Sequence, residues 1–397
     1  MTSALSQSPA FGPGRLGPLT LRNRFVKAAT FEGATPRGEV TDRLVEFHRA
    51  MAAGGVGMTT VAYCAVSPDG RVQRHCLVLD AETAGALRPL TDAVHAEGAA
   101  AAAQLGHAGL VADAKSNRMR SLAPSRRFSP PAKGFVPAAS AADLARVRDD
   151  FASAARNAIE AGFDAVEVHL GHGYLLSSFL SPQLNQRRDG YGGSLEARAK
   201  FPREVLRAVR DAVGHRIAVT AKFNMADGVP RGLWLDESVE IARMIEADGV
   251  LDAIELTGGS SLQNAMYFFR GDVPLLEMLQ TQPAYVRPGM RLIAPKLFPS
   301  YPFEEGFFLP FARQFRAALD LPLIYLGGVN RLDTAERAID EGFDLVAMGR
   351  ALLREPDLLR TFAKGERSEG LCVHCNKCMP TIYSGTRCVL VEGGPAH

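Results

Sequence analysis

Short apolar runs alternate with longer amphipathic ones along nearly the whole chain, and the hydrophobic period switches between two and 3.6 as they do. Residues 164–170 show the shorter period: Val166, Val168 and Leu170 fall on one face, Glu167 and His169 on the other. Strands are predicted at 24–30, 56–63, 99–105, 164–170, 216–222, 251–257, 321–326 and 344–348. Helices are predicted between them, at 42–53, 83–96, 141–161, 195–213, 236–247, 304–319 and 333–341. That makes about eight βα units, the number that closes a barrel of parallel strands. The expected fold class is therefore α/β, a (β/α)8 TIM barrel. A doubly wound open sheet is the alternative, but it would want a GxGxxG turn after an early strand, and none is present.

Two stretches break the alternation. Residues 107–140 read as a long Pro- and Ser-containing loop. Residues 258–303 are longer still and carry Tyr267, Phe268, Phe269, Tyr285, Phe298, Tyr301 and Phe303. Loops of that length are uncommon unless functional. A lid over the barrel mouth is expected, or a contact in a homo-oligomer. Residues 1–365 are expected to form the barrel, and 366–397 a Cys-rich C-terminal extension packed on it.

Composition narrows the classes. With 47% hydrophobic residues in 397, a sizeable core is available. The formal charge is +2 with no long basic run, which argues against nucleic acid or a membrane surface as partner. The N-terminus lacks the charged start and apolar block of a signal peptide, and no stretch is long and apolar enough to span a bilayer. A cytoplasmic location is expected. Of six cysteines, Cys372, Cys375, Cys378 and Cys388 crowd into the last tenth, which in a cytosolic protein points to metal or redox chemistry.

Barrels of this type place their chemistry at the C-terminal ends of the strands. Polar residues stand there: Gln104, His169, Lys222 and Thr257. His172 and Tyr174 follow His169 closely. A lone histidine is usually a satisfied structural residue; two imidazoles and a phenol gathered where a strand leaves its sheet shift that balance. Lys222 alternates onto the small, polar face that looks at the barrel axis. Lysine is rarely buried without a partner, so either an ion pair with Glu167 or an electron-rich ligand at the mouth is expected. Farther along, YLGGVN (325–330) and MGRALL (348–353) end the last two predicted strands in Gly-Gly and Gly-Arg. Such loops commonly bind phosphate through backbone amides, a helix N-terminus and a guanidinium. A phosphate-bearing cofactor or substrate is expected.

The run HLGHGYLLSSFLSPQLNQRRDGYGGS, followed by LEARAKFPREVLRAVRDAVG, resembles the central signature of the old yellow enzyme family. Those proteins are NADH:flavin oxidoreductases, FMN-containing eight-stranded β/α barrels. The resemblance implies FMN as cofactor and NAD(P)H as reductant. It implies that Ala28, Ala29 and Thr30 lie along the isoalloxazine, that Tyr63 touches the ring, and that Gln104 hydrogen-bonds the pyrimidine edge. It also sets Lys222 beside N1 and O2, where a cation favours the reduced flavin anion. Gly327, Gly328, Gly349 and Arg350 would bind the phosphate. Phe31 departs from the Cys or Thr that many relatives carry, and Leu110 from the usual Arg. The polar run NQRRDGYGG is expected to be a bracing turn without chemistry.

The same resemblance implies an ene-reductase acting on a small enone-like substrate. His169 and His172 would hold the carbonyl oxygen, and Tyr174 would protonate the α-carbon. Running the chemistry backwards gives a dehydrogenase or demethylase. A barrel of another class would be a lyase or aldolase with Lys222 as a Schiff-base lysine; a non-catalytic electron carrier is a third. The cysteine spacing C-x2-C-x2-C-x9-C admits an iron–sulfur cluster, zinc, or free thiols. Larger relatives of the dienoyl-CoA reductase type carry such a cluster after the barrel, with longer spacing, and continue into an FAD- and NAD(P)H-binding region that this sequence is expected to lack.

Overall fold

The computed structural model describes residues 8–281, 284–285 and 287–391. Twelve strands occur among them. β1 (Gly14–Leu16) and β2 (Leu19–Leu21) form an antiparallel hairpin. β3 (Phe25–Lys27), β4 (Met58–Ala65) and β5 (Ala100–Gly106) begin the barrel. β6 (Arg127–Ser129) and β7 (Gly134–Val136) form a second hairpin outside it. β8 (Ala165–Leu170), β9 (Ala218–Asn224), β10 (Ala253–Thr257), β11 (Leu323–Leu326) and β12 (Leu345–Met348) complete it. The eight barrel strands are parallel and close in sequence order, β12 pairing with β3. The expected (β/α)8 barrel is thus the fold.

Helices follow the strands where an N-cap and an apolar stripe coincide. Thr41 caps Asp42–Ala53, and Ser194 caps Leu195–Val213. Ser140 and Asp143 form a reciprocal capping box at the start of Ala141–Glu160. That helix buries Leu144, Val147, Phe151, Ala154, Ala155 and Ala158, a stripe at helical spacing. The lower end of the barrel is plugged by Leu16 and Leu21 of the first hairpin. They pack on the small inward residues Ala102, Ala165, Ala218 and Ala253. With the bottom filled by small residues, polar groups on the inner face concentrate toward the C-terminal ends.

Register then decides which inner residues meet. Gln104 on β5 stands opposite Glu167 on β8. His169 on β8 stands opposite Lys222 on β9, and Lys222 opposite Glu255 on β10. The β4–β5 register shifts between Val61 and Cys64; such an irregularity re-aims a side chain, here Tyr63, whose hydroxyl donates to the Gly70 carbonyl at 2.5 Å.

The two long insertions are more ordered than the sequence suggests. Residues 107–140 hold a short helix, Ala114–Asn117, and the β6–β7 hairpin. Residues 258–303 hold three helices, Met266–Phe269, Leu275–Gln280 and Arg287–Leu297. Each is too short, or too rich in Pro and Gly, to announce itself by periodicity. Asn185 donates to the carbonyls of Phe179 and Tyr191, and Arg187 to those of Pro124 and Ala139, the bracing role expected of NQRRDGYGG. No helix among the described residues is long and apolar enough to cross a membrane.

Candidate active site

One cavity opens at the C-terminal ends of the strands. It is lined by Ala28, Ala29, Thr30, Tyr63, Gln104, His169, His172, Tyr174, Lys222, Gly327, Gly328, Gly349 and Arg350 together. Every candidate catalytic and cofactor residue read from the sequence is thus brought to one place. Phe31, Thr257, Phe268, Phe303, Phe307 and Phe308 add to the wall.

The floor is an ion cluster. The Lys222 ammonium donates to Glu167 at 3.1 Å and, by a shorter bond, to Glu255. All three side chains are buried. The expected Glu167 pairing is present, and a second carboxylate, Glu255, joins it. Glu255 could have been found from β10, where Ala253, Glu255 and Thr257 alternate inward against Ile254 and Leu256. Burial and the neighbouring Glu167 carboxylate push Glu255 up to about 8, against the pull of Lys222. Burial opposes the charge on Lys222, yet the two carboxylates raise its pKa above the ordinary value. Gln104 donates its amide Nε2 to Glu167 Oε1 at 2.7 Å. A carboxylate only accepts, so the Gln104 carbonyl is left to face the cavity as an acceptor. A second buried pair, Lys27 with Glu32 at 3.2 Å, lies across the barrel beside His48.

Above the floor sit the imidazoles. The ring centroids of His169 and His172 are 5.1 Å apart, and the Tyr174 ring is 4.5 Å from His169. Burial drives the His169 pKa far below the usual value, and His172 and Lys222 push the same way. Burial and Lys222 push His172 down to about 3. Both rings are therefore neutral at physiological pH and each carries one N–H. His169 Nδ1 is buried with no hydrogen-bond partner among the described residues, which is costly unless a ligand supplies one. His172 takes a left-handed backbone, φ 60°, sparsely populated for residues other than glycine. Its N–H donates to Asn224 Oδ1 at 3.1 Å, its carbonyl accepts from Ser261 N at 2.9 Å, and its Nε2 lies 3.0 Å from Thr257 Oγ1. Phe268 stacks on it at 4.5 Å. Phe268 comes from the aromatic stretch expected to cover the barrel mouth, whereas Asn224 was assigned no role from the sequence. Asn224 lies two residues past Lys222 on the same strand face, which is the signal that points to it.

At the opposite end the glycines answer to packing as well. Gly327 and Gly328 have positive φ, 149° and 74°, and a Cβ on either would sit 2.6 Å or 2.5 Å from the Phe308 or Phe307 side chain. They are glycines because aromatic rings pack there, not only because amides must approach an oxygen. Gly349 is open: an added Cβ would meet only Thr30 Cγ2, at 3.6 Å. Arg350 is not wholly committed to the cavity. Its Nη1 donates to the Arg270 carbonyl at 2.8 Å and, by a shorter bond, to Asn376 Oδ1, tying the barrel to the residues after it.

The four clustered cysteines line a second, smaller recess with Arg350 and Arg354, and Cys378 borders both recesses. Among the described residues no three His, Cys, Asp or Glu side chains gather closely enough to hold one metal ion.

Residues 9–257 match the model of the NADH:flavin oxidoreductase / NADH oxidase family, and the chain belongs to that family. It is 64% identical over 390 residues to the 4,4'-dithiodibutanoate disulfide reductase of Rhodococcus erythropolis, covering 98% of this chain and 96% of the other. It is 34% identical to the metal reductase of Desulforamulus reducens, across 94% of this chain but only 52% of that protein. The fold matches the old yellow enzyme homologue from Zymomonas mobilis with a TM-score of 0.70 at 22% identity, over 92% and 95% of the two chains. FMN is the cofactor and NAD(P)H the reductant of this oxidoreductase class. The cavity fits FMN: an amide acceptor and an ammonium at one end, alanines along the middle, an open glycine and a guanidinium at the other, and unpartnered polar atoms on His169 and Thr30.

Proposed function

We propose that this chain reduces a small organic disulfide of the dithiodicarboxylate type with electrons from NAD(P)H. Bound FMN supplies the two-electron hydride chemistry that links the nicotinamide to the substrate. The residues of the chain do the rest. Breaking the S–S bond puts negative charge on sulfur inside an apolar cavity. His169 and His172, held neutral, offer N–H groups to that charge from the start, so no proton need be lost or gained to place them. Tyr174, beside His169, offers an O–H as proton donor. Two electrons and a proton from NAD(P)H, with one further proton, give two thiols.

The observation that carries the reading is the neutral imidazole pair with an unpartnered Nδ1, set in a chain 64% identical to a disulfide reductase. A second reading uses the same donors on the carbonyl oxygen of an activated alkene, with Tyr174, its ring 4.5 Å from His169, protonating the α-carbon. The two separate in one anaerobic assay. Dithiodibutanoate is expected to drive NAD(P)H oxidation with two thiols released per nicotinamide. Cyclohexenone turnover without any thiol release from the disulfide would leave the alkene reading in its place.

Cys372, Cys375, Cys378 and Cys388 would hold an iron–sulfur cluster. Four thiols around one recess are the donor set such a cluster takes. The cluster would supply one-electron capacity next to the flavin cavity, from which Cys378 is shared. Anaerobically purified protein is expected to contain iron and acid-labile sulfide; protein with full flavin and neither element would return these residues to free thiols.

A further inference from the structure

We propose that Glu255 is a positioning residue that sets the redox potential of the bound flavin by controlling how much of the Lys222 charge reaches the cavity. The inference rests on FMN lying in this cavity and not on the choice of substrate. Lys222 lines the cavity; Glu255 and Glu167 do not. Whatever Glu255 does to a ligand, it does through Lys222.

An ammonium has three N–H donors. Two are spent on Glu255 and Glu167, which leaves one for the cavity. The three side chains sit in adjacent positions of neighbouring strands, with Lys222 opposite Glu255 across the β9–β10 ladder. They are enclosed, so water screens none of their charge. Counting charges, one ammonium faces two carboxylates. With both ionised the cluster is net negative, and it disfavours electrons arriving on a ring beside it. With Glu255 protonated the cluster is neutral, and the ammonium is balanced by Glu167 alone. The charge felt at the cavity floor therefore depends on the proton of Glu255. The other groups that face this position are accounted for. β8 contributes Glu167 and, opposite Lys222, His169, which like the neighbouring His172 is held neutral by burial; β9 contributes Lys222, and β11 presents Ile324 opposite Glu255. Lys27, across the barrel, is already paired with Glu32.

A second point of the same geometry supports the role. Glu167 is fixed from two sides, by Lys222 and by the Gln104 amide. Glu255 accepts from Lys222 and stands within hydrogen-bond reach of Glu167, while Gln104 is held by Glu167 Oε1, so the ionisation of Glu255 can change without breaking the hold on Gln104.

The test is the midpoint potential of the FMN holoenzyme, by dye equilibration, for wild type and Glu255→Gln at about pH 6.5 and about pH 9.5. Glutamine mimics the protonated acid. The two proteins are expected to coincide at the lower pH. At the higher pH the variant is expected to favour the reduced flavin at least tenfold more, which is about 30 mV for a two-electron couple. A gap of the same size at both pH values is what a merely structural disturbance gives, and it overturns the proposal, as does no gap at all. If the glutamine variant fails to fold, Glu255→Asp is compared in the same way. It keeps the carboxylate but withdraws it from Lys222, and potentials identical to wild type at both pH values overturn the proposal equally.

Discussion

Replacing Lys222 with methionine is expected to cost about 3–5 kcal/mol of folding stability and to weaken FMN binding at least tenfold. The first figure is the usual cost of removing one partner from a buried ion pair, and here the loss is doubled in kind. Glu167 and Glu255 are left facing each other with nothing between them. Two buried carboxylates cannot both stay ionised, so at least one takes up a proton. Its folded pKa is then raised above that of the unfolded chain. A raised acid binds more protons folded than unfolded, so the stability it contributes is lost as pH rises through the folded pKa. The variant is therefore expected to be closest to wild type near pH 5 and to fall further behind toward pH 9. Thermal unfolding of FMN-stripped protein at both pH values checks this, and equilibrium titration with FMN checks the second effect. A lysine that served only the barrel interior would lower stability and leave the FMN affinity of the folded fraction alone.

How much of this was legible in the sequence follows from what kind of contact each feature uses. The barrel was legible because strand and helix periods are local, and their alternation counts the units. The inner-face residues Gln104, His169, Lys222 and Thr257 were legible for the same reason, since alternation along one strand says which side chains look inward. Glu255 obeys that rule as well, but an acid in a buried strand reads as a liability until the lysine it faces across the β9–β10 ladder is known. The stacking of Phe268 on His172 and the hold of Asn376 on Arg350 join residues 96 and 26 positions apart, through loops whose path no period encodes. The glycines 327 and 328 were found for a reason that proves incomplete: the sequence shows a glycine pair, while the rings of Phe307 and Phe308 that demand it arrive from another element. The aromatic run in 258–303 was read as one feature. Phe268 reaches the cavity wall, but Tyr285 is 86% exposed, so residue type alone overstated what the segment contributes to the site.

Changing His169 and His172 together to alanine is expected to leave FMN bound and to remove turnover almost entirely. In the proposed chemistry each imidazole is an N–H donor aimed where charge develops, and one such donor is worth about 10²–10³ in kcat by analogy with oxyanion holes. The two share one charge, so the double loss will fall short of the product of the single ones. His172→Gln, which keeps an N–H at a similar reach, is expected to recover more activity than His172→Ala, and an equal loss in both would mean the ring acts by packing on Phe268 instead. The protonation states sharpen the test. Because burial holds both imidazoles neutral well below pH 6.5, neither should impose a step on kcat between about pH 6 and 9. Stability is another matter. A histidine whose folded pKa is depressed binds fewer protons folded than unfolded, so wild type loses stability as pH falls below the unfolded value of about 6.5, by up to about 1.4 kcal/mol per pH unit for each ring. The double alanine variant lacks both groups. Its urea midpoint is therefore expected to decline less between pH 7 and pH 5 than that of wild type, and a decline of the same steepness would show that these rings are not the buried neutral pair on which the proposed chemistry depends.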